Sequence, residues 1–355
     1  MTVVGHWANL VEAQKLVQSV LLQGVIQEII EEGQLLPMLP VTQLLGKSHI
    51  YNREKTLPTG QFVDIHEQIA WTADVDYTQI EVELKRVAVQ RVVDKFMQQT
   101  YRNPNDYRAV LIGEARKGVM RTIEDKLIYG DKDNTSAKEF DGLHAIVSDT
   151  QDAQSSPADG DTNIDMGETA LSLATLRLLL DNCKVNSGQM GKQNVAILVP
   201  HVLGRRFDAG YQEAGFVRSS VTVSLATLQI NGVDIGGRIM TFDGIPIIRS
   251  DYLVAEQLNT GLTTATARAK RTSGTKGYSL LVVRLGQVSD GGLALLVGSP
   301  EGEAQGFSFI AHSTFDKLQD YDAGGERIVA YAALELGSTK SLGRIADITD
   351  AAIVP

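Results

Sequence analysis

DKLIYGDKDNTSAKEFDGLHAI, residues 125–146, closes one pattern and opens another. Upstream of it Leu111, Ala115, Val119, Ile123 and Leu127 recur every four residues, the spacing of one apolar stripe on a helix. Asn103-Pro104 supplies a cap and a proline suited to the first helical position, so a helix is expected over 104–129. At about 1.5 Å per residue that is a rod of about 39 Å. Its other faces carry Arg108, Glu114, Arg116, Lys117, Arg121, Glu124, Asp125 and Lys126, which suits a scaffold beam better than an active-site element. Gly130 reads as its C-cap, the polar residues after it as a solvated loop, and Phe140-Asp141-Gly142-Leu143 as the turn that re-enters the domain. A glycine among charges can also cradle a phosphate or a metal. Here Lys126 precedes the glycine and no hydroxyl is placed for magnesium, so the stretch is architectural.

The whole chain supports that. Its 355 residues are 43% hydrophobic, 21% charged and 6% aromatic, the balance of a folded protein with one large core or two smaller ones. A net charge of −10 repels nucleic-acid phosphates on average, and no basic run exceeds Lys270-Arg271 or Arg205-Arg206. Any DNA contact is therefore local or indirect. The single cysteine, Cys183, sits on the apolar pattern LRLLLDNC and is expected to be inert core. MTVVGHWANLVEAQKL lacks a basic leader, and Leu10–Ile30 contains too many polar residues to span a bilayer. No signal peptide and no membrane partner are expected.

Around the beam the chain falls into segments. Residues 9–32 have helical periodicity that stops at Gly33, and the two prolines of LLPMLPV (35–41) make the following arm extended. SHIYNREKTLPTGQFVDIHEQIAW (48–71) pivots on Pro58-Thr59-Gly60, which predicts a polar hairpin with a charged tip at Arg53, Glu54 and Lys55. About ten residues per arm would reach about 30 Å, and an isolated two-stranded ribbon of that kind needs outside support. TQIEVELKRVAVQ (78–90) alternates as one half-buried strand. Residues 148–168 are poor in hydrophobics and read as a linker between domains. Beyond it come a helix at LSLATLRLLLDNC, a buried strand at NVAILVP, a helix at HVLGRRFDAGYQEAG and strands from VTVSLATLQI onward, with Asp243-Gly244 a hairpin turn. YSLLVVRLG, GGLALLVG and GERIVAYAALELG are further strands.

A search for chemistry finds little. Gly113 and Gly118 have phosphate-loop spacing, but Val119-Met120 follows where lysine and a hydroxyl are needed; GQMGKQN lacks the upstream glycine. His66-Glu67 begins a zinc motif that fails at Ala70. Asp159, Asp161, Asn163 and Asp165 imitate a calcium loop, without its turn glycine (Ile164) or its closing glutamate (Ala170). There is no nucleophile elbow, and the acid pairs Asp74/Asp76 and Glu81/Glu83 share solvent faces of strands. No catalytic residue, cofactor or metal ligand is assigned, and the weight shifts to a structural role.

The collinear order of arm, long hairpin, strand, beam, EDKLIYGD…EFDGLHAIV, mixed α/β region with TFDGIPIIRSDYL, and closing strand GERIVAYAALELG resembles the major capsid proteins of tailed phages, the Hong Kong 97-type fold. The resemblance spans nearly the whole chain. It implies an α+β subunit with an N-terminal helix and arm at 1–42, an extended hairpin (E-loop) at 43–76 and a P domain at 77–150 with the spine helix at 104–129. An A domain at 151–305 and return strands with a tail at 306–355 complete it. It implies intersubunit contact at the hairpin tip through Arg53, Glu54, Lys55, Pro58 and Gly60, and a core stripe of Leu111, Ala115, Val119, Ile123 and Leu127. The function implied is self-assembly into hexamers and pentamers of an icosahedral head, made in the host cytoplasm. That head encloses double-stranded DNA without sequence-specific binding. Scaffolding, portal and decoration proteins are the further partners implied. Some members cross-link lysine to asparagine; Lys47 and Lys55 lie near the hairpin, without an identifiable asparagine partner. The alternatives are an encapsulin-type compartment of the same fold that encloses protein cargo, and an α/β enzyme whose site is assembled from distant residues.

Overall fold

Pro37 and Pro40 bracket the first turn of the computed structural model, a 3-10 helix at Leu36–Met38 with proline at its start. The arm is thus one helical turn followed by a strand, where an extended segment was expected. The reason is Glu124, whose buried carboxylate accepts hydrogen bonds from Leu35 N (2.7 Å) and Leu36 N (2.9 Å) and so stands in for the missing helical acceptors. Burial raises the Glu124 pKa, and these backbone donors oppose the shift. The structure describes residues 33–354 apart from 57–58, 70, 72–75, 101–106, 134–137, 184–193, 214–228, 231–232, 235–239, 258–275, 300–308 and 316–321. The helix expected at 9–32, the Asn103-Pro104 cap and the start of VTVSLATLQI lie outside the described residues.

In chain order the elements are β1 (Val41–Leu44), β2 (Ser48–Thr56), β3 (Asp76–Glu83), β4 (Lys85–Asp94), α1 (Lys95–Thr100), α2 (Tyr107–Tyr129) and α3 (Leu143–Thr150). Then follow β5 (Asn163–Thr169), α4 (Leu173–Asn182), β6 (Val195–Pro200), α5 (His201–Glu213), β7 (Gln229–Ile230), β8 (Val233–Asp234), β9 (Met240–Phe242) and β10 (Ile245–Ser250). The chain ends with β11 (Glu256–Gln257), β12 (Lys276–Arg284), β13 (Leu293–Gly298), β14 (Ile310–Phe315), β15 (Ala323–Leu336) and β16 (Leu342–Ile348). One sheet has five strands in the order β1-β13-β15-β14, with β4 on the other side of β15. A second has seven, in the order β5-β16-β12-β6-β10-β9, with β11 on β12. The fold is mixed α+β.

α2 lies against β4 and β15. Its stripe faces them: Leu111, Ala115, Val119, Ile123 and Leu127 are all buried, together with Val93, Ile328, Ala330 and Ala332. At 23 residues the helix is about 34 Å long. β15, of 14 residues and about 46 Å long, passes beneath it. The second sheet forms its own core. β6 is buried at all six positions, the continuous apolar run of a strand covered on both faces; β16 is buried at all seven although it carries Arg344 and Asp347. The β9–β10 turn has positive φ at Asp243 (49°) and Gly244 (84°), the geometry that Asp-Gly favours.

Gly130 does not end α2 as a left-handed cap. Its N–H still donates to Lys126 O, and Gly142 N donates to Gly130 O at 2.9 Å. The two glycines let backbones touch: a Cβ on Gly130 would stand 2.4 Å from Phe140 O, and one on Gly142 would stand 2.6 Å from Lys126 O. Gly142 then caps α3, so the turn re-enters the domain as the sequence indicates. The run at 148–168 is not a linker. It continues α3, then pairs β5 parallel to β16, and several of its polar side chains are bonded within the fold. Gln151 accepts Thr162 N (2.8 Å), Asn163 donates to Gln151 O (2.9 Å), and Asn182 donates to Asp161 O (2.8 Å). Nor does sheet membership change at 305/306. The chain leaves the second sheet after Arg284, gives β13, β14 and β15 to the first, and returns with β16 to the second.

Candidate assembly surface

TQIEVELKRVAVQ is two strands, because Leu84 turns its N–H to Lys47 O (2.9 Å) and separates β3 from β4. β4 joins β15, while β3 pairs antiparallel with β2 in register from Ser48↔Glu83 to Thr56↔Asp76. The second arm of the hairpin is therefore residues 76–83, and not the 61–70 segment that a pivot at Pro58-Gly60 predicts. Val63, Ile65, Ile69 and Trp71 keep the two-residue spacing of a strand face, but residues 61–69 form no strand: they hold a turn at Ile65-His66, and β3 takes the place beside β2. What lies between the arms is a long tip loop.

At the base of the hairpin Glu83 sits 2.8 Å from Lys47 Nζ and 2.9 Å from Lys85 Nζ. Hydrogen bonds from the two ammonium groups hold its pKa at about 2. The reciprocal effect raises Lys47. Above the base, one face of β2 rests on the end of β15. His49 Nδ1 is 2.7 Å from Glu335 Oε2, Tyr51 OH donates to Leu336 O at 2.6 Å, and Arg53 Nε donates to Gly337 O at 2.8 Å. A cleft of about 960 Å³ separates the rest of the hairpin from the body, lined by Ile80, Val82, Phe140, Ile146 and Leu334 among others.

The tip is apolar where a charged one was expected. Of eleven large hydrophobic side chains exposed among the described residues, seven lie on the hairpin and its tip: Ile50, Phe62, Val63, Ile65, Ile69, Trp71 and Tyr77. Phe62 and Trp71 are fully exposed, at 107% and 100%. Asp64 and Glu67 bind each other's turn, with Asp64 N on Glu67 Oε2 (2.8 Å) and Glu67 N on Asp64 O (3.1 Å). That turn holds His66 at φ 69°. It also settles the use of His66-Glu67, which is a loop corner. A patch of this kind on a water-exposed loop marks an interaction site.

Of the residues assigned to the tip, Glu54 is exposed in β2 and Gly60 stands in open space in the loop. Arg53 is spent within the chain, stacked on Tyr51 at 5.8 Å and bonded to the end of β15. Lys55 lies in β2, and Pro58 is outside the described residues. The aromatic and aliphatic tip residues were missed by sequence reasoning. Their signal was present in QFVDIHEQIAW, which places five large hydrophobics just past the expected pivot, four of them (Val63, Ile65, Ile69 and Trp71) at strand period.

A second group of polar residues is buried where α2 and α3 meet the second sheet. Glu256 accepts from Arg344 Nη2 (2.8 Å), Ser279 Oγ (2.5 Å) and Tyr129 OH (3.1 Å), and His144 Nε2 lies 3.2 Å away. Every one of the five is 8% exposed or less. Burial first, and the Glu256 charge second, push the Tyr129 phenol up. Tyr129 and His144 both belong to the 125–146 stretch, so its two ends meet on one carboxylate. This closed cluster joins α2, α3, β11, β12 and β16 and offers no opening to a substrate. The calcium-like acids serve turns: Asp161 accepts Ala158 N (2.8 Å) and Asp165 accepts Gly167 N (2.8 Å). Among the described residues no three His, Cys, Asp or Glu converge as metal ligands, and no helix is long and apolar enough to cross a membrane. Cys183 is buried, and desolvation pushes its thiol up to about 12.

No protein-family profile matches the chain, and no curated protein is similar to it in sequence. Solved structures are similar along nearly its full length. The SrpI encapsulin of Synechococcus elongatus PCC 7942 is 17% identical, with 98% of each chain covered and a TM-score of 0.62. The capsid of cyanophage A-1(L) is 12% identical over 94% of this chain and 98% of that one, with a TM-score of 0.62. The capsid of the native GTA particle is 11% identical over 94% and 96%, with a TM-score of 0.59. At such identities the likeness is one of fold. The chain has the fold of capsid and encapsulin subunits, in agreement with the Hong Kong 97-type resemblance of its sequence.

Proposed function

We propose that the chain is the major capsid protein of a tailed double-stranded DNA phage, assembling through its hairpin into hexamers and pentamers of an icosahedral head. The observation that carries this is the exposed apolar tip on a hairpin that has no core of its own. Burying four side chains of the size of Phe62, Ile65, Ile69 and Trp71 is worth about 6–12 kcal/mol before the costs of association. A neighbouring subunit is the occupant that this fold supplies. On this reading the hairpin is the E-loop, α2 the spine helix, the first sheet belongs to the P domain and the second to the A domain. The shell contains DNA without reading its sequence, which a chain of net charge −10 tolerates. Scaffolding, portal and decoration proteins are its expected companions, and the virion its destination.

A second reading, an encapsulin enclosing protein cargo, is favoured by the full-length likeness to the SrpI encapsulin. Purified particles separate the two. Nuclease-protected DNA inside them supports the phage head; co-purifying protein cargo without DNA supports the encapsulin. A protein that stays monomeric at high concentration contradicts both.

A further inference from the structure

We infer that the hairpin is a pre-aimed clasp whose angle is set by a latch, in which three alternate side chains of β2 grip one three-residue stretch at the end of β15. The inference rests on the shell reading for its purpose, though not for its existence.

His49, Tyr51 and Arg53 stand two residues apart and so share one face of β2. All three end on Glu335, Leu336 and Gly337. The His49–Glu335 contact is 2.7 Å, and the Leu336 carbonyl accepts from both Tyr51 OH (2.6 Å) and Arg53 Nη2 (2.5 Å). The Arg53 Nε bond to Gly337 O, at 2.8 Å, completes the set. These bonds come from side chains, so the hairpin is tied to the body without extending either sheet.

Glu335 is the anchor of the latch. Its side chain is 0% exposed, yet its Oε1 has no hydrogen-bond partner among the described residues. An apolar side chain would fill the same place in the strand end at lower cost, because a buried carboxylate is stabilised only by a well-placed donor. Here that donor is His49, carried by the element being positioned. The pair therefore couples hairpin angle to the satisfaction of a buried charge. A hairpin held at one angle in the free subunit has less freedom to lose when it meets a neighbour. The latch should accordingly speed assembly, while the tip residues supply the contact.

The test is hydrogen exchange on subunits kept below the assembling concentration, for the wild type and for His49→Ala, Tyr51→Phe and Arg53→Ala. The latch predicts that amides of β2 and β3 exchange about tenfold faster or more in His49→Ala and Arg53→Ala, with β6 and β15 unchanged. Light scattering should then show slower shell growth in the same variants. Should the orphaned carboxylate unfold His49→Ala, the double variant His49→Ala/Glu335→Gln removes the charge and keeps the comparison: a folded subunit with a fast-exchanging hairpin is expected. Hairpin amides that exchange at the wild-type rate in these folded variants overturn the latch. Electron micrographs of the wild type judge the shell reading separately, so a loosened hairpin in a protein that never forms shells sinks only the latter.

Discussion

Gly142 has no room for a single carbon. A Cβ there meets Lys126 O at 2.6 Å and Gly130 N at 2.8 Å, which are backbone atoms that cannot rotate away. Gly142→Ala is expected to lower unfolding stability by about 3 kcal/mol or more, measurable by denaturant titration. Gly113→Ala, in α2 with nothing near it, should instead stabilise by up to about 1 kcal/mol. Asp347 is the other residue whose surroundings make a sharp forecast. It is buried at a bulge of β16 with φ 54°, and desolvation with the nearby Asp165 charge raises its pKa to about 6. A raised carboxylate favours the folded state while protonated. Its contribution is fully present below pH of about 4 and is lost as pH rises through about 6. Asp347→Asn, which tolerates the same backbone angle, should raise Tm at pH 7, with the gain vanishing by pH 4. An unchanged difference across that range would contradict the assignment.

At the scale of elements the hairpin separates contact from folding. Replacing residues 57–75 by Asn-Gly joins Thr56 to Asp76, a pair already in register, through a turn suited to two strands. The variant should keep the wild-type circular dichroism spectrum and a Tm within a few degrees, and yet fail to assemble; collapse of the fold would make the tip part of its own core. The same element shows what the sequence could and could not reveal. β6, β12 and β13 were legible because a strand buried on both faces leaves an unbroken apolar run. So was the stripe of α2, and so was the Asp243-Gly244 turn, since both are local. The pairing of β2 with β3 was not. It spans a long loop, and the nearer signal at Pro58-Thr59-Gly60 pointed to a closer partner. Residues 148–168 misled for a different reason: Gln151, Asp161, Asn163 and Asn182 satisfy one another inside the protein, and polarity alone cannot tell that from solvation. Gly130 was recognised as a boundary, but its purpose is close approach of two backbones.

For the whole molecule, the two sheets, the beam across the first and the projecting hairpin make a subunit whose largest apolar exposure lies away from its core. Such a surface closes only against another molecule, and one surface meeting a different one on each copy generates rings and shells. Three of the subunit's buried carboxylates, Glu256, Glu326 and Glu335, are each held by a histidine or an arginine within the fold. The most direct measurement is negative-stain electron microscopy, with a sizing column, of the purified wild-type chain at high concentration. Capsomers or closed shells of megadalton size are the predicted result. A monodisperse monomer or dimer at every concentration and salt tested would contradict the assignment of this chain as a shell subunit.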